Sequence, residues 1–271
     1  MAVCLTTERF WQLKVSQPAV YEVVIVGNSK VNMGLSPRHL SRASGRQKIF
    51  NFGFVACCLN KKYLKHASAL LDPNISDPTL VLGICPHCFF RPSPINGYNY
   101  WSSQSVPQRE AIMRQAWMEN VSLKAIAKTS ARNLQNLTKG LPLSYYFPDG
   151  WEACYPGRMK HPEMYAESSK KLLTRFRVQP RIVTEFLEAV YDIHQEGITL
   201  YGYRPPCSAS VRELESGKGG VDFQELSKSF EQAGGKWIDI DPVRYQSFDG
   251  AHLDFRNAMR LSQEVGAAMR P

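Results

Sequence analysis

Short apolar runs rich in β-branched residues alternate along this chain with amphipathic stretches of helical period, and no other feature of the sequence constrains the fold as strongly. The apolar runs predict five buried strands, at residues 21–27, 48–54, 79–85, 198–203 and 236–240. The amphipathic stretches predict helices at residues 36–44, 59–71, 165–176, 181–196, 222–233 and 253–269. Strands joined by helical crossovers pair in parallel. We therefore predict an α/β fold of three layers, in which helices cover both faces of a doubly wound, mostly parallel five-stranded sheet.

Length and composition fit a globular protein. The 271 residues are 44% hydrophobic and 21% charged, which excludes fibrous and wholly disordered chains. No apolar run approaches the roughly 18–20 residues of a membrane span, and residues 1–20 lack the basic start and apolar stretch of a signal peptide. The cysteines number seven, and Cys57 and Cys58 are adjacent, so we expect reduced thiols rather than a disulfide framework.

Residues 86–160 interrupt the alternation. They are rich in Pro, Asn, Ser, Tyr and Trp, with a helical piece near residues 108–129. They follow the third strand at its carboxyl end, where ligands bind in open α/β sheets. We therefore predict a single domain over residues 1–271, with this insertion as a lid or one wall of a site. Its aromatic side chains either stack on a sugar or base or form a small core of their own: Tyr98, Tyr100, Trp101, Trp117, Tyr145, Tyr146 and Trp151.

The positive charge is concentrated in the first half of the chain. Residues 1–140 hold 17 Lys and Arg against 6 Asp and Glu, whereas residues 141–271 hold 16 against 18. This asymmetry indicates an anionic partner, such as a nucleic acid, a charged glycan or a membrane surface, or else a solvated basic face. No RNA- or DNA-binding motif accompanies the charge, so we expect no nucleic acid as partner.

Two short motifs carry the chemistry. Val26-Gly27-Asn28-Ser29 places a hydroxyl directly after a buried strand, close to backbone amides that can hold an oxyanion. Asp249-Gly250-Ala251-His252 enters the last predicted helix, and its spacing lets His act as general base with Asp as its orienting partner. Each motif also has a structural explanation, Ser29 as a turn residue and Asp249 as a cap beside a solvated His252. The first strand and the last loop of a doubly wound sheet both open onto the carboxyl edge, which favours the chemical interpretation.

The sequence resembles the SGNH (GDSL-like) hydrolase superfamily, and more narrowly the branch with the D-alanyl transfer protein of lipoteichoic acid synthesis and the alginate acetylation proteins. Its fold is the flavodoxin-like α/β/α arrangement predicted above. The resemblance rests on five blocks in the family's order: Gly27-Asn28-Ser29, Met33-Gly34-Leu35-Ser36-Pro37, Asn51-Phe52-Gly53, Tyr203-Arg204-Pro205-Pro206 and Asp249-Gly250-Ala251-His252-Leu253. The last block is the specific one.

Position by position, the resemblance implies Ser29 as nucleophile, His252 as base and Asp249 as the residue that orients it. It also implies the backbone amides of Ser29 and Gly53 as oxyanion donors. Ser29 would then form an acyl-enzyme that water or an acceptor hydroxyl resolves.

The sequence departs from the family pattern at two places. Asn28 stands where the family often has Asp, at a side chain that mainly supports the turn. The family's third block, with an Asn as oxyanion donor, has no clear counterpart. Either His87 or Asn96 takes that role, or the oxyanion hole is weaker.

The third strand runs into Cys85-Pro86-His87-Cys88, a motif that also marks thiol–disulfide oxidoreductases, in which the first Cys begins a helix. Pro92 and Pro94 follow and argue against a helix here. A zinc site from Cys57, Cys58, Cys85 and Cys88 has suitable ligands, but its first pair is adjacent rather than separated by two residues. Small buried cysteines are the third explanation. We expect neither a metal nor a cofactor.

Three basic side chains are candidates for substrate binding. Arg204 ends the fourth strand and could pair with a phosphate or carboxylate of the substrate, or with the acidic C-terminal half. Lys30 directly follows the predicted nucleophile and could shape an anionic pocket, and His87 lies just beyond the third strand.

Three functions fit these observations. The first is a serine acyl-ester hydrolase or O-acyltransferase that acts on an acylated glycan or similar envelope-type molecule, including anionic ones. The second is a catalytically inactive SGNH-fold protein that binds or presents a ligand. The third is nucleic-acid binding by the basic first half, supported by charge alone. Relatives in the narrower branch commonly work outside the cytoplasm, whereas residues 1–20 show no export signal.

Overall fold

A computed structural model describes residues 5, 7–90, 96–104, 111, 123–156, 167–168, 171, 177–217 and 220–270. Its central sheet has five parallel strands: β1 (Val23–Val26), β2 (Ile49–Asn51), β3 (Thr79–Gly83), β6 (Thr199–Tyr203) and β7 (Lys236–Ile238). Their order is β2-β1-β3-β6-β7. A separate antiparallel hairpin consists of β4 (Leu143–Tyr146) and β5 (Glu152–Tyr155).

Helices follow the strands on both faces of the sheet. They are α1 (Thr7–Val15), α2 (Ser29–Gly34), α3 (Pro37–Ser44), α4 (Lys61–Ser68), α5 (Gly97–Ser102), α6 (Leu123–Thr138), α7 (Pro180–Gln195), α8 (Ala209–Ser216), α9 (Phe223–Gln232) and α10 (Phe255–Ala268). Two short 3-10 turns cover Pro86–Phe89 and Pro242–Arg244. Among the described residues, no helix combines the length and hydrophobicity that crossing a bilayer needs.

Side-chain alternation along β1 divides the interior into two cores. Val23 and Ile25 pack in one core with residues of α2, α3 and α10. Val24 and Val26 pack in the other with residues of α1, α4, α7 and α9. Because both faces are covered, β1 is buried throughout and reads as a continuous apolar run. The three-layer α/β/α prediction is confirmed.

The predicted strands all occur, each shorter than predicted, and the second is shortened most. β2 ends at Asn51 because the side chain of Asn51 donates to the carbonyls of Val31 and Leu35, at 2.9 and 2.7 Å, and the chain turns there. Helices α1, α2, α5 and α8 and the β4–β5 hairpin are additions to the prediction. The predicted helix 165–176 lies largely outside the described residues, as does most of the piece at 108–129.

The aromatic residues of the insertion belong to the main cores. Tyr98 and Tyr146 are buried in the core that contains Val24, and Trp151 is buried in the core that contains Val23. These three side chains therefore form neither a separate small core nor a surface on which a sugar could stack. Trp101 is partly buried, Tyr100 and Tyr145 are exposed, and Trp117 lies outside the described residues. The lid role of residues 86–160 stays a prediction.

Candidate active site

The turn after β1 presents Ser29 at the carboxyl edge of the sheet. Gly27 leaves no room for a side chain, since a Cβ there would lie 2.4 Å from Val31 Cγ2. Asn28 is buried and caps α2, with its Oδ1 accepting from the Lys30 amide at 3.0 Å. Ser29 is the first residue of this helix and is half-buried, so it is the member of the turn that a substrate can reach.

The structure brings Ser29, His252 and Asp249 together in a hydrogen-bonded chain. Ser29 Oγ lies 2.9 Å from His252 Nε2, and His252 Nδ1 lies 2.6 Å from Asp249 Oδ2. The other carboxylate oxygen accepts the amides of Ala251 and His252, at 2.9 and 2.8 Å. Gly250, with φ of 98°, supplies the left-handed conformation that folds this turn back on itself. A carboxylate, an imidazole and a hydroxyl in this order can activate the hydroxyl as a nucleophile.

The surroundings of Asp249 favour its ionised form. Burial alone would raise the pKa of this carboxyl, but the hydrogen bond and the charge of the His252 ring, with the two backbone amides, outweigh burial and lower the pKa. An ionised Asp249 favours the proton of His252 on Nδ1, so that Nε2, 2.9 Å from Ser29 Oγ, is the nitrogen placed to accept the proton of Ser29.

The predicted oxyanion donors have different surroundings. Within the described part of the chain the Ser29 amide has no hydrogen-bond acceptor, as a donor to a substrate oxygen requires. The prediction for Gly53 needs correction, because its amide donates to Asn51 Oδ1 at 2.9 Å and is already engaged. The same loop is strained at Ala56, whose φ is 51°.

The two residues considered as substitutes for the family's third block make other contacts. Asn96 is buried and caps α5, with its Oδ1 accepting from the Asn99 amide at 3.0 Å. His87 Nδ1 lies 3.9 Å from Glu215 Oε1. Neither contact places the side chain of Asn96 or His87 as a donor to an oxyanion beside Ser29.

The three predicted substrate-binding residues converge on the buried carboxylate of Glu215, which corrects their assignment. Lys30 Nζ lies 2.5 Å from Glu215 Oε1, and the exposed fractions of the two side chains are 1% and 0%. Arg204 lies 3.4 Å from the other oxygen and stacks on Phe223. With His87 beside the same carboxylate, this cluster forms an internal ion network rather than an anion-binding surface. Arg204 instead forms the alternative contact predicted for it, a salt bridge to an acidic residue of the C-terminal half, Glu215.

The cysteine motif lies against the same cluster. Ligand atoms of Cys85, His87 and Glu215 come within 4.8 Å of one another, a different set from the four cysteines considered above. The ammonium of Lys30 already neutralises Glu215 at this point, which disfavours a divalent cation. The described cysteines are all buried free thiols: Cys57, Cys58, Cys85, Cys88, Cys154 and Cys207.

A second buried polar cluster, formed by Lys14, Asn32 and Glu152, contacts α2 through Asn32. Lys14 Nζ donates to Asn32 Oδ1 at 2.6 Å and to the Gly53 carbonyl at 2.5 Å. Asn32 Nδ2 in turn donates to Glu152 Oε2 at 2.7 Å. Burial lowers the pKa of Lys14 well below its usual range and raises that of Glu152. In the sequence Lys14 is one basic residue in an ordinary amphipathic stretch, so nothing there marks its burial.

The Tyr63 hydroxyl joins the two loops of the site, and its removal is expected to destabilise the fold. It lies 2.6 Å from the Phe52 carbonyl and 3.1 Å from the Gly27 carbonyl, and it accepts from the Gly27 amide at 3.3 Å.

Tyr63→Phe should lower the free energy of unfolding in urea by about 1–2 kcal/mol, since the buried polar groups of Phe52 and Gly27 lose their partner. Tyr100→Phe, at a ring that is 59% exposed, is the control and should change little. An equal effect of both variants would contradict the role given to Tyr63.

No protein-family model matches this chain, and no curated protein sequence does. A solved structure described as "a putative platelet activating factor from Streptococcus pneumonia" is similar to it at 12% identity. The match covers 97% of this chain and 90% of that chain, with a TM-score of 0.42. A likeness this weak carries no information about the reaction of this protein.

Proposed function

We propose that this protein is a serine acyl-ester hydrolase or O-acyltransferase that works through an acyl-enzyme on Ser29. The observation that carries the proposal is the hydrogen-bonded chain from Asp249 through His252 to the half-buried Ser29 hydroxyl. Side chains from opposite ends of the sequence meet there with the distances and the order that nucleophilic catalysis requires.

The geometry assigns a step to each group. His252 Nε2 takes the proton as Ser29 Oγ attacks the ester carbonyl, and Asp249 stabilises the imidazolium that forms. The Ser29 amide donates to the oxyanion of the tetrahedral intermediate. His252 then protonates the departing alkoxide, which leaves an acyl group on Ser29. Water, or the hydroxyl of an acceptor, is deprotonated by His252 and releases the acyl group by the same steps in reverse.

The substrate class is the less strongly supported part of the proposal. An acylated glycan as substrate rests on the sequence resemblance alone. Lys30 and Arg204 are both paired with Glu215. These two cations therefore do not argue for a substrate with an anionic group beside Ser29. Neutral acyl esters are therefore the first compounds to test.

A second candidate function, a catalytically inactive binding protein with the same fold, is favoured by one observation. The Gly53 amide is engaged with Asn51, so a second oxyanion donor is not assigned. Removal of a single oxyanion donor costs about two to three orders of magnitude in kcat. For this second candidate the expected result is ligand binding without labelling of Ser29 by an active-serine probe.

Labelling with a fluorophosphonate probe tests the proposal. Wild-type protein should be labelled at Ser29, and both Ser29→Ala and His252→Ala should lose the label, because the probe requires an activated serine. Ser103→Ala, at an exposed serine far along the chain, is the control and should label normally. Absence of label on folded wild-type protein, or label that persists in Ser29→Ala, would overturn the proposal.

A further inference from the structure

Cys85 and Cys88 lie where two thiols can close to a disulfide. Cys85 follows β3 in an extended conformation, and Pro86 then begins the 3-10 turn. The Cys88 amide donates to the Cys85 carbonyl at 2.9 Å, which closes the turn, and the two sulfur atoms are 3.8 Å apart. A turn of this kind holds its end Cα atoms within about 7 Å, close to the span that a disulfide needs. The prolines at 92 and 94 therefore do not exclude redox chemistry, because the turn needs no following helix.

The surroundings of Cys85 separate it from the other buried cysteines. Asn28 Nδ2 donates to Cys85 Sγ at 3.0 Å. The hydrogen bond from Cys88 lowers the pKa of Cys85 well below its usual range against the effect of burial, with help from His87 and the charge of Lys30. By contrast, burial raises the pKa of Cys154. The hydrogen bond between Cys85 and Cys88, together with burial, raises the pKa of Cys88. The Asn28 donor at the Cys85 sulfur, together with the opposite directions of the two pKa shifts, favours Cys85 as the attacking thiolate and Cys88 as the resolving thiol.

The Cys85 sulfur is also connected to the nucleophile turn. Asn28, which donates to that sulfur, directly precedes Ser29 and caps α2. A disulfide sulfur carries no negative charge and is a weaker acceptor than a thiolate. Oxidation of the pair would therefore remove the partner of the Asn28 amide and loosen the turn that holds Ser29.

We propose that Cys85 and Cys88 form a redox modification site that closes to an intramolecular disulfide with a small hydroperoxide as oxidant. This goes beyond the proposed function, and only its effect on Ser29 rests on that function. The thiolate of Cys85 attacks one peroxide oxygen, the O–O bond breaks, and the departing hydroxide takes the Cys88 proton as water. The Cys88 thiolate then attacks the sulfenic sulfur, an S–S bond forms, and the S–O bond breaks to release hydroxide, which solvent protonates. Two electrons pass from the two sulfurs to the peroxide.

A small oxidant matches the burial of the site. Cys85 and Cys88 are fully buried, whereas the His87 side chain between them is 12% exposed. Hydrogen peroxide is little larger than water, so we expect it to reach the pair beside the partly exposed His87 side chain. A bulky disulfide such as oxidised glutathione is expected to react far more slowly.

Mass spectrometry of the peroxide-treated protein tests the site without reference to catalysis. Reduced full-length protein is treated with hydrogen peroxide, quenched with catalase, denatured, alkylated and digested without reductant. The peptide with residues 85 and 88 should lack both alkyl groups, be lighter by two hydrogen masses, and return to the alkylated form after dithiothreitol. Cys154→Ser should behave as wild type, whereas Cys88→Ser should leave a dimedone-reactive sulfenic acid at Cys85. Full alkylation of both cysteines in treated wild-type protein would overturn the proposal.

A second measurement tests the connection to Ser29. The oxidised protein should react with the fluorophosphonate probe about fivefold more slowly than the reduced protein, because the Asn28 cap is weakened. Dithiothreitol should restore the rate. A disulfide that forms without changing this rate would refute the connection. If no form of the protein is labelled, the proposed function fails, while the mass-spectrometric result still decides the redox site.

Discussion

Asp249→Asn is expected to lower kcat/KM toward an activated acetyl ester by about four orders of magnitude without unfolding the protein. The asparagine oxygen can still accept the amides of Ala251 and His252, so the turn is retained. An amide N–H would then face His252 Nδ1, which lies 2.6 Å from the present carboxylate oxygen. The ring must place its proton on Nε2 instead, and it can no longer accept the proton of Ser29. Hydrolysis of p-nitrophenyl acetate at neutral pH measures the loss.

Asp254→Asn is the matched control for this variant. It makes the same chemical change five residues later, where the carboxylate caps α10 by accepting from the Asn257 amide at 2.8 Å and from the Asn257 side chain at 3.0 Å. Asparagine caps helices as well as aspartate does, so both activity and stability should be preserved. If Asp249→Asn kept more than about a tenth of wild-type activity, Asp249 would not be the residue that orients His252.

Glu215→Gln is expected to lower the free energy of unfolding by about 3–5 kcal/mol, the usual cost of leaving a buried charge without its partner. The carboxylate is fully buried and lies within reach of both Lys30 and Arg204. Glutamine keeps the size of the side chain and removes its charge, so the buried ammonium of Lys30 would lose the carboxylate that it pairs with. Urea unfolding followed by circular dichroism gives the change, with the slope expected to stay constant.

Two variants make this expectation specific. Glu213→Gln changes an exposed residue of the same helix and should shift stability by less than about 0.5 kcal/mol. Lys30→Met combined with Glu215→Gln removes both charges and should recover much of the loss, since a buried pair can often be replaced by uncharged residues. A Glu215→Gln variant as stable as Glu213→Gln would show that the network does not hold the fold.

Local sequence signals were sufficient for the strands and for the three residues of the candidate triad. Val23–Val26 is buried on both faces, so its apolar run has a single explanation, and the turn after it follows from Gly27 and Asn28. Asp249 and His252 are three residues apart, so the carboxylate and the ring meet within one turn. Their meeting with Ser29 followed from the topology rule that strand ends and the following loops share one edge of a parallel sheet.

The rest of the site depends on contacts that no local pattern contains. Lys30 and Glu215 are 185 positions apart, and nothing near either residue in the sequence points to the other. Lys14 and Glu152 likewise meet only through Asn32. The occupied amide of Gly53 is different, because Asn51 lies two residues before it and asparagine often bonds its own backbone at that spacing. That signal was present in the sequence.

The order of the site along the chain has a consequence for biosynthesis. Ser29 follows β1, whereas His252 lies 223 positions later and three residues before α10. That helix is fastened to α3 by the Ser36 amide, which donates to Ser262 Oγ at 2.7 Å. Because domains fold as the chain emerges from the ribosome, a nascent chain can hold a nearly complete sheet and still lack its base. The growing polypeptide would therefore hold Ser29 without His252 until the turn at residues 249–252 has emerged.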